Sequence, residues 1–215
     1  HNKKGVHSST GGIKMVAGTL AFLTCLSMAV LIQSGWFAGL VRDVGVRKEW
    51  LAVGLLLEAL LLRVQVPPGG MIRLQVGMFL FIPFLFCLRK GNREDRSFLF
   101  SSVFFIGSSL FLLRELYWLE PAFSWGISRS LEMMIVLIIA LVSSRLLTGR
   151  LLVASLGMWL GQFLVLCLHR HEMKPLLFGD VQFLDFFWLS LILLWVAHAV
   201  LQQGIQWVRG LRRLI

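Results

Sequence analysis

Seven apolar runs, separated by short polar loops, constrain this chain more than any other feature of its sequence. Most of the runs approach the length of about 20 residues that a helix needs to cross a bilayer. Only 15% of the residues are charged, against roughly 25% in an average soluble domain, and the mean hydropathy is +0.79. Within lipid, each backbone N–H and C=O needs a partner in its own segment, which favours helices. We therefore predict an all-α, polytopic bundle of about seven transmembrane helices.

The loops divide the apolar part of the chain clearly. Pro67 and Pro68, followed by two glycines, exclude a continuous helix between the second and third runs. The predicted spans are Met15–Ile32, Trp50–Val66, Met71–Leu88, Phe98–Leu119, Trp125–Leu147, Leu151–Leu168 and Gln182–Gln202. They make up a transmembrane domain, 15–203, between a polar extension, 1–14, and a basic amphipathic tail, 204–215. Because Met15 is the first methionine, we interpret residues 1–14 as foreign or upstream sequence.

The formal charge of +10 comes mainly from basic residues in the loops. Such charges orient a membrane protein and meet anionic lipid head groups, so we predict the lipid bilayer, and no nucleic acid, as a partner. Lys and Arg are denser in the loops that share a side with the C-terminus, around 42–48, 89–96 and 145–150. The positive-inside rule then places the C-terminus in the cytoplasm and the N-terminus outside.

Charged side chains at membrane depth are costly unless they are paired or hydrated, so they are the first candidates for function. Arg114 lies roughly 24 Å along the fourth span from Phe98, and Glu132 enters the fifth span from the same side. We therefore predict an Arg114–Glu132 pair across this hairpin. Glu115 points about 100° away from its neighbour. The candidate intramembrane polar cluster consists of Glu58, Arg114, Glu115, Glu132 and Asp185.

Two interpretations of this cluster remain open. In the first, Arg114 and Glu132 fix the register of their helices, and the other side chains reach water at the membrane surface. In the second, acidic residues near the outer face line a polar site for a small molecule or a proton. Glu58 is the deepest of the five, and a lone carboxyl group at that depth is expected to hold its proton.

Other motifs carry weaker signals. Gly157 and Gly161 form a G-x-x-x-G in the sixth span, which permits close helix packing within the fold or in a homodimer. His169 and His171 are two residues apart, so they do not share a helix face, and no third metal ligand is evident. Hydrolase, zinc-protease, P-loop and paired Cys-x-x-Cys motifs are absent from the sequence. We predict no enzyme activity, no catalytic residue, no metal and no cofactor.

Three short motifs are similar to those of the YphA-type family of small multi-spanning membrane proteins from spore-forming Firmicutes. They are Gly35-Trp36 after the first span, Arg114-Glu115 at the end of the fourth, and Phe178-Gly179-Asp180 with Phe183-Leu184-Asp185 before and within the last. The resemblance implies a multi-pass protein of the bacterial plasma membrane that is linked to sporulation, and it supplies no catalytic residue.

Two functions from different classes follow. The first is a structural or accessory membrane component that acts through partner membrane proteins or a homodimer. The alternative is a small-solute or proton-coupled transporter with an outward-facing polar site. A water-filled cavity around the buried charges would favour transport, whereas a dry, paired cluster would favour the structural role.

Overall fold

The computed structural model describes residues 18–44, 46–62, 64–66, 72–75, 96–119, 128–170 and 176–212. The helices in these ranges are α1 (Thr19–Gln33), α2 (Ala38–Val44), α3 (Lys48–Leu61), α4 (Arg96–Leu119), α5 (Ser128–Ser143), α6 (Leu147–Leu168) and α7 (Val181–Arg212). Three short strands, β1 (Gln65–Val66), β2 (Ile72–Gln75) and β3 (Leu176–Phe178), form one small sheet.

Three of the described helices are long and apolar enough to cross a membrane. The qualifying stretches are Ser97–Leu119 in α4, Leu147–Leu168 in α6 and Val181–Ile205 in α7. Helix α1 is also apolar but has only 15 residues, or roughly 22 Å at 1.5 Å per residue. These lengths and compositions agree with the predicted helical membrane bundle.

The helices run between two ends of the bundle, which we call the sheet end and the far end. The sheet end holds the starts of α1, α5 and α7, because Asp185 contacts Gly18 and Arg129 contacts Gln182. The far end holds the end of α1 and the turn between α5 and α6, and there the rings of Phe37 and Trp195 lie 4.3 Å apart. Successive described helices therefore alternate in direction wherever only a short loop joins them, as between α5 and α6.

Helices α4 and α6 make the closest contact in the bundle, and small residues permit it. A Cβ atom built on Gly157 would lie 2.6 Å from Ile106, and one on Gly107 would lie 2.8 Å from Leu160. At Gly161 the added atom would lie 3.2 Å from the Gly107 carbonyl oxygen. The G-x-x-x-G face of α6 is therefore filled by α4 of the same chain, so a homodimer would have to use another surface.

The small sheet corrects two of the predicted spans. The second span was expected to continue to Val66, but α3 ends at Leu61 and β1 follows. The third span was expected to begin as a helix at Met71, but Ile72–Gln75 is a strand. This strand pairs antiparallel with β1 and parallel with β3, so its backbone groups find partners outside a helix. Residues 76–88 of that predicted span lie outside the described residues.

Two further helical features depart from the predicted boundaries. The short helix α2 occupies the loop after the first span, where no helix was predicted. Helix α7 continues through Gly204 to Arg212 and so includes most of the residues assigned to the basic tail. Nothing within 4 Å would meet a side chain at Gly204, so this glycine neither breaks the helix nor marks a close contact.

We expect Gly157→Ala to lower the thermal unfolding midpoint of the protein in detergent. The added methyl group must displace Ile106, and overpacking of this kind costs roughly 1–3 kcal/mol. Circular dichroism at 222 nm would follow the unfolding. Gly204→Ala is the matched control, because its Cβ atom points into open space on another helix. Equal midpoints for the two variants would contradict the described packing of α4 on α6.

Candidate functional site: charges within the bundle

Arg114, near the sheet end of α4, is the centre of a polar contact among three helices. Its Nη2 atom donates to Glu132 Oε2 on α5 at 3.2 Å, and its Nη1 atom donates to Gln162 Oε1 on α6 at 2.7 Å. The side chains of Arg114 and Glu132 are 20% and 9% exposed. The predicted Arg114–Glu132 pair is therefore present, and Gln162 completes it.

The packing of the three helices explains this arrangement. Helices α4 and α5 are consecutive and antiparallel, so the last turns of α4 face the first turns of α5. Gly161 brings α6 against α4, and the next residue, Gln162, reaches the guanidinium group. Gln162 was not among the predicted site residues, although a lone amide within the apolar sixth span was the available signal. A half-buried Arg that donates to one carboxylate and one amide on two other helices cross-links the three helices.

Glu115 takes a different direction, as its neighbouring position on the helix requires. One of its carboxylate oxygens, Oε1, is buried and lies 3.5 Å from His169 Nδ1 at the end of α6. The His169 ring packs against Trp118 at 4.8 Å, and its Nδ1 atom also lies 3.2 Å from the Val165 carbonyl oxygen. This second contact ties the same two helices together closer to the membrane edge.

Asp185 on α7 caps the start of α1. Its Oδ2 atom accepts from the Gly18 backbone N–H, and its Oδ1 atom accepts from the Ala21 N–H, both at 2.7 Å. The first N–H groups of a helix have no partner within it and carry a partial positive charge, so a carboxylate there satisfies both needs. Gly18 has a φ of 90°, and a Cβ atom on it would collide with Val181, so only glycine suits this contact.

Glu58 on α3 is the most deeply buried of the five candidate residues. It is 4% exposed, and its carboxyl group lies beside the side chains of Trp188 on α7 and Cys25 on α1. Neither of these neighbours carries a positive charge.

The structure places the five residues of the candidate cluster in separate contacts. Arg114 and Glu132 meet, Glu115 turns to His169, and Glu58 and Asp185 lie in contacts that involve α1. The reason is the order of helix packing, because α3 packs on α1, whereas α5 and α6 pack on α4. The acidic residues therefore stabilise several helix contacts instead of lining one site.

A polar contact also forms at the far end. Arg150 donates from Nε to the Ser144 carbonyl oxygen at 2.7 Å, and its Nη1 atom lies 2.7 Å from His198 Nδ1. His198 is 6% exposed, so it is a hydrogen-bonded residue of the interior. This contact joins the α5–α6 turn to α7.

We predict that Arg114→Met and Glu132→Met each destabilise the protein by about 3 kcal/mol, because each leaves a charged partner unpaired in the bundle. The double variant is expected to recover most of this loss, since no buried charge remains. Unfolding midpoints of the four proteins in one detergent would give the coupling between the two positions. A double variant as unstable as the sum of the single variants would exclude the pairing.

We expect Asp185→Ala to lower stability by about 1–2 kcal/mol, because two amides at the start of α1 lose their acceptor. Asp185→Asn keeps one oxygen in place and is expected to lose less. The readout is the unfolding midpoint, together with amide hydrogen exchange at residues 18–21. Unchanged exchange in the alanine variant would show that another group caps α1.

The comparisons with known proteins identify a family and no closer relative. No curated protein and no solved structure matches the chain significantly. A family described as YphA-like integral membrane protein matches residues 40–212, which include α3, the sheet and α4 to α7. The match covers the residues of the Arg114 and Glu115 contacts, as well as Glu58 and Asp185. The chain therefore belongs to the YphA-like family of integral membrane proteins.

Proposed function

We propose that this protein is a non-enzymatic, multi-pass component of the bacterial plasma membrane that holds partner membrane proteins, in a process linked to sporulation. The main support for the proposal is that Arg114 forms its hydrogen bonds with side chains of the same chain. Its guanidinium group bonds a carboxylate and an amide of the same chain. An arginine committed in this way supports a rigid frame and leaves little capacity for a transported solute.

The other charged contacts support the same proposal. Both carboxylate oxygens of Asp185 accept hydrogen bonds from backbone N–H groups at the start of α1. Glu115 lies against His169. Transport sites in many carriers use broken helices whose free ends face the substrate. In this chain the start of α1 faces a carboxylate of its own bundle, so that end is already occupied.

The proposed topology has seven crossings, with the sheet end outside and the far end in the cytoplasm. The described helices support an odd number of crossings, because α3 ends at the sheet end and α4 begins at the far end. Among the described residues, exposed Arg42, Arg47, Lys48 and Arg145 lie at the far end, against exposed Arg129 and Arg170 at the sheet end. This excess of basic residues at the far end supports a cytoplasmic position for it.

A small-solute or proton-coupled transporter is the second candidate, and Glu58 is the observation in its favour. A carboxyl group that is 4% exposed and has Trp188 and Cys25 beside it is a costly feature for a purely structural protein. In such a transporter Glu58 would bind and release a proton within the α1, α3 and α7 contact.

The deciding test is the water accessibility of the Arg114 contact. The native cysteines are replaced, single cysteines are introduced as Glu132→Cys or Gln162→Cys, and a membrane-impermeant thiol reagent is applied to intact cells. We expect neither position to react, because both face the guanidinium group inside the bundle. Gln162→Cys keeps the ion pair, so it remains informative if Glu132→Cys folds poorly.

Two further positions calibrate this experiment. Leu177→Cys in β3 is exposed at the sheet end and is expected to react from outside, whereas Leu146→Cys at the far end is expected to react only after permeabilisation. Reaction at 132 or 162 comparable to that at 177 would contradict the structural role and favour the transporter. The reverse pattern at 177 and 146 would overturn the proposed orientation.

A further inference from the structure

An apolar groove of about 490 Å³ opens between the far-end halves of α4 and α5. Its walls are Phe98, Ser101, Ser102 and Phe105 on α4, and Ile138, Ile139, Val142 and Ser143 on α5. The volume lies within the roughly 300–1,000 Å³ that small-molecule sites occupy. Val142 is 77% exposed and Phe105 is 59% exposed, so the groove faces the surroundings of the bundle.

The hydroxyl groups of the three serines add little polarity to the groove. Ser101 donates its hydroxyl hydrogen to the Ser97 carbonyl oxygen, Ser102 to that of Phe98, and Ser143 to that of Ala140. Each hydroxyl group is therefore turned back onto its own helix. The groove presents aromatic rings, aliphatic side chains and small residues, a lining that suits a hydrocarbon chain better than a polar solute.

Positive charge borders the far-end mouth of the groove. Ser143 is its last lining residue on α5, and the exposed Arg145 follows two positions later. Basic sites between transmembrane helices on the cytoplasmic side are known to bind anionic lipid head groups. The apolar groove and the charged mouth thus match the two parts of one phospholipid.

We propose that this groove binds one acyl chain of an anionic phospholipid, with the phosphate-bearing head group against Arg145. The lipid would fill the space that the two helices leave at the far end. At the sheet end the same helices are joined by Arg114 and Glu132, so the lipid supports the half of the hairpin that has no such cross-link. The site lies apart from the charged contacts that support the proposed function, and its position on the cytoplasmic side rests on the orientation proposed there.

Native mass spectrometry of the purified full-length chain tests this proposal directly. The protein is exchanged into detergent containing equal amounts of phosphatidylglycerol and phosphatidylcholine with identical acyl chains. We expect preferential retention of one phosphatidylglycerol. Arg145→Gln should weaken that retention about fivefold, which corresponds to the loss of one basic contact near a head group. Val142→Trp should reduce retention of both lipids, because the indole ring fills the groove from an exposed position.

Two control variants make the outcome specific. Arg129→Gln removes an exposed arginine from the opposite end of α5, and Val200→Trp adds the same ring to an exposed position on α7. Both are expected to retain phosphatidylglycerol as the unmodified protein does. A fivefold loss in Arg129→Gln as well would show general charge attraction and overturn the proposed site.

Equal retention of the two lipids by the unmodified protein would also overturn the proposal. A different occupant would be revealed by cysteine cross-linking from position 142. A cross-link to residues 76–88 would mean that the predicted third span fills the groove, and a cross-link to position 142 of a second copy would mean that a dimer does. The proposal requires that neither product forms while phosphatidylglycerol is bound.

Discussion

The close approach of α4 and α6 determines which partners Arg114 and Glu115 can reach. Gly107, Gly157 and Gly161 let the two backbones meet, and Gln162 reaches Arg114 only because of that approach. Hydrophobic burial cannot drive helices together within lipid, so association depends on close packing and on hydrogen bonds between helices. In this bundle the two effects coincide, because the glycine contact and the arginine contact are adjacent along the same pair of helices.

Much of the architecture was predictable because the bilayer imposes a simple rule on sequence. Long apolar runs led to α4, α6 and α7, and helical depth alone led to the Arg114–Glu132 pair. The sheet could not be found in this way, since β1, β2 and β3 are short and their pairing joins residues far apart in sequence. The run Met71–Leu88 is apolar enough for a helix. Only the pairing of Ile72–Gln75 with β1 and β3 shows that this part of the run is a strand.

The candidate site was harder to predict than the fold. Depth along a span says how far a side chain lies from the membrane surface, but it does not say which helices are neighbours. Glu132 and Asp185 enter from the same side, yet one meets an arginine and the other meets backbone amides. The partners Gln162 and His169 carry no motif, and their roles depend on the packing of α6 against α4.

The cap that Asp185 places on α1 also orders the assembly of the protein during synthesis. The first amides of α1 belong to the first of the described helices, whereas their acceptor, Asp185, is synthesised 164 residues after Ala21. Until α7 arrives, the start of α1 has to rely on water or lipid head groups for its hydrogen bonds. The cap on α1 therefore cannot form before α7 is made, and a chain truncated before α7 would leave these two amides without their acceptor.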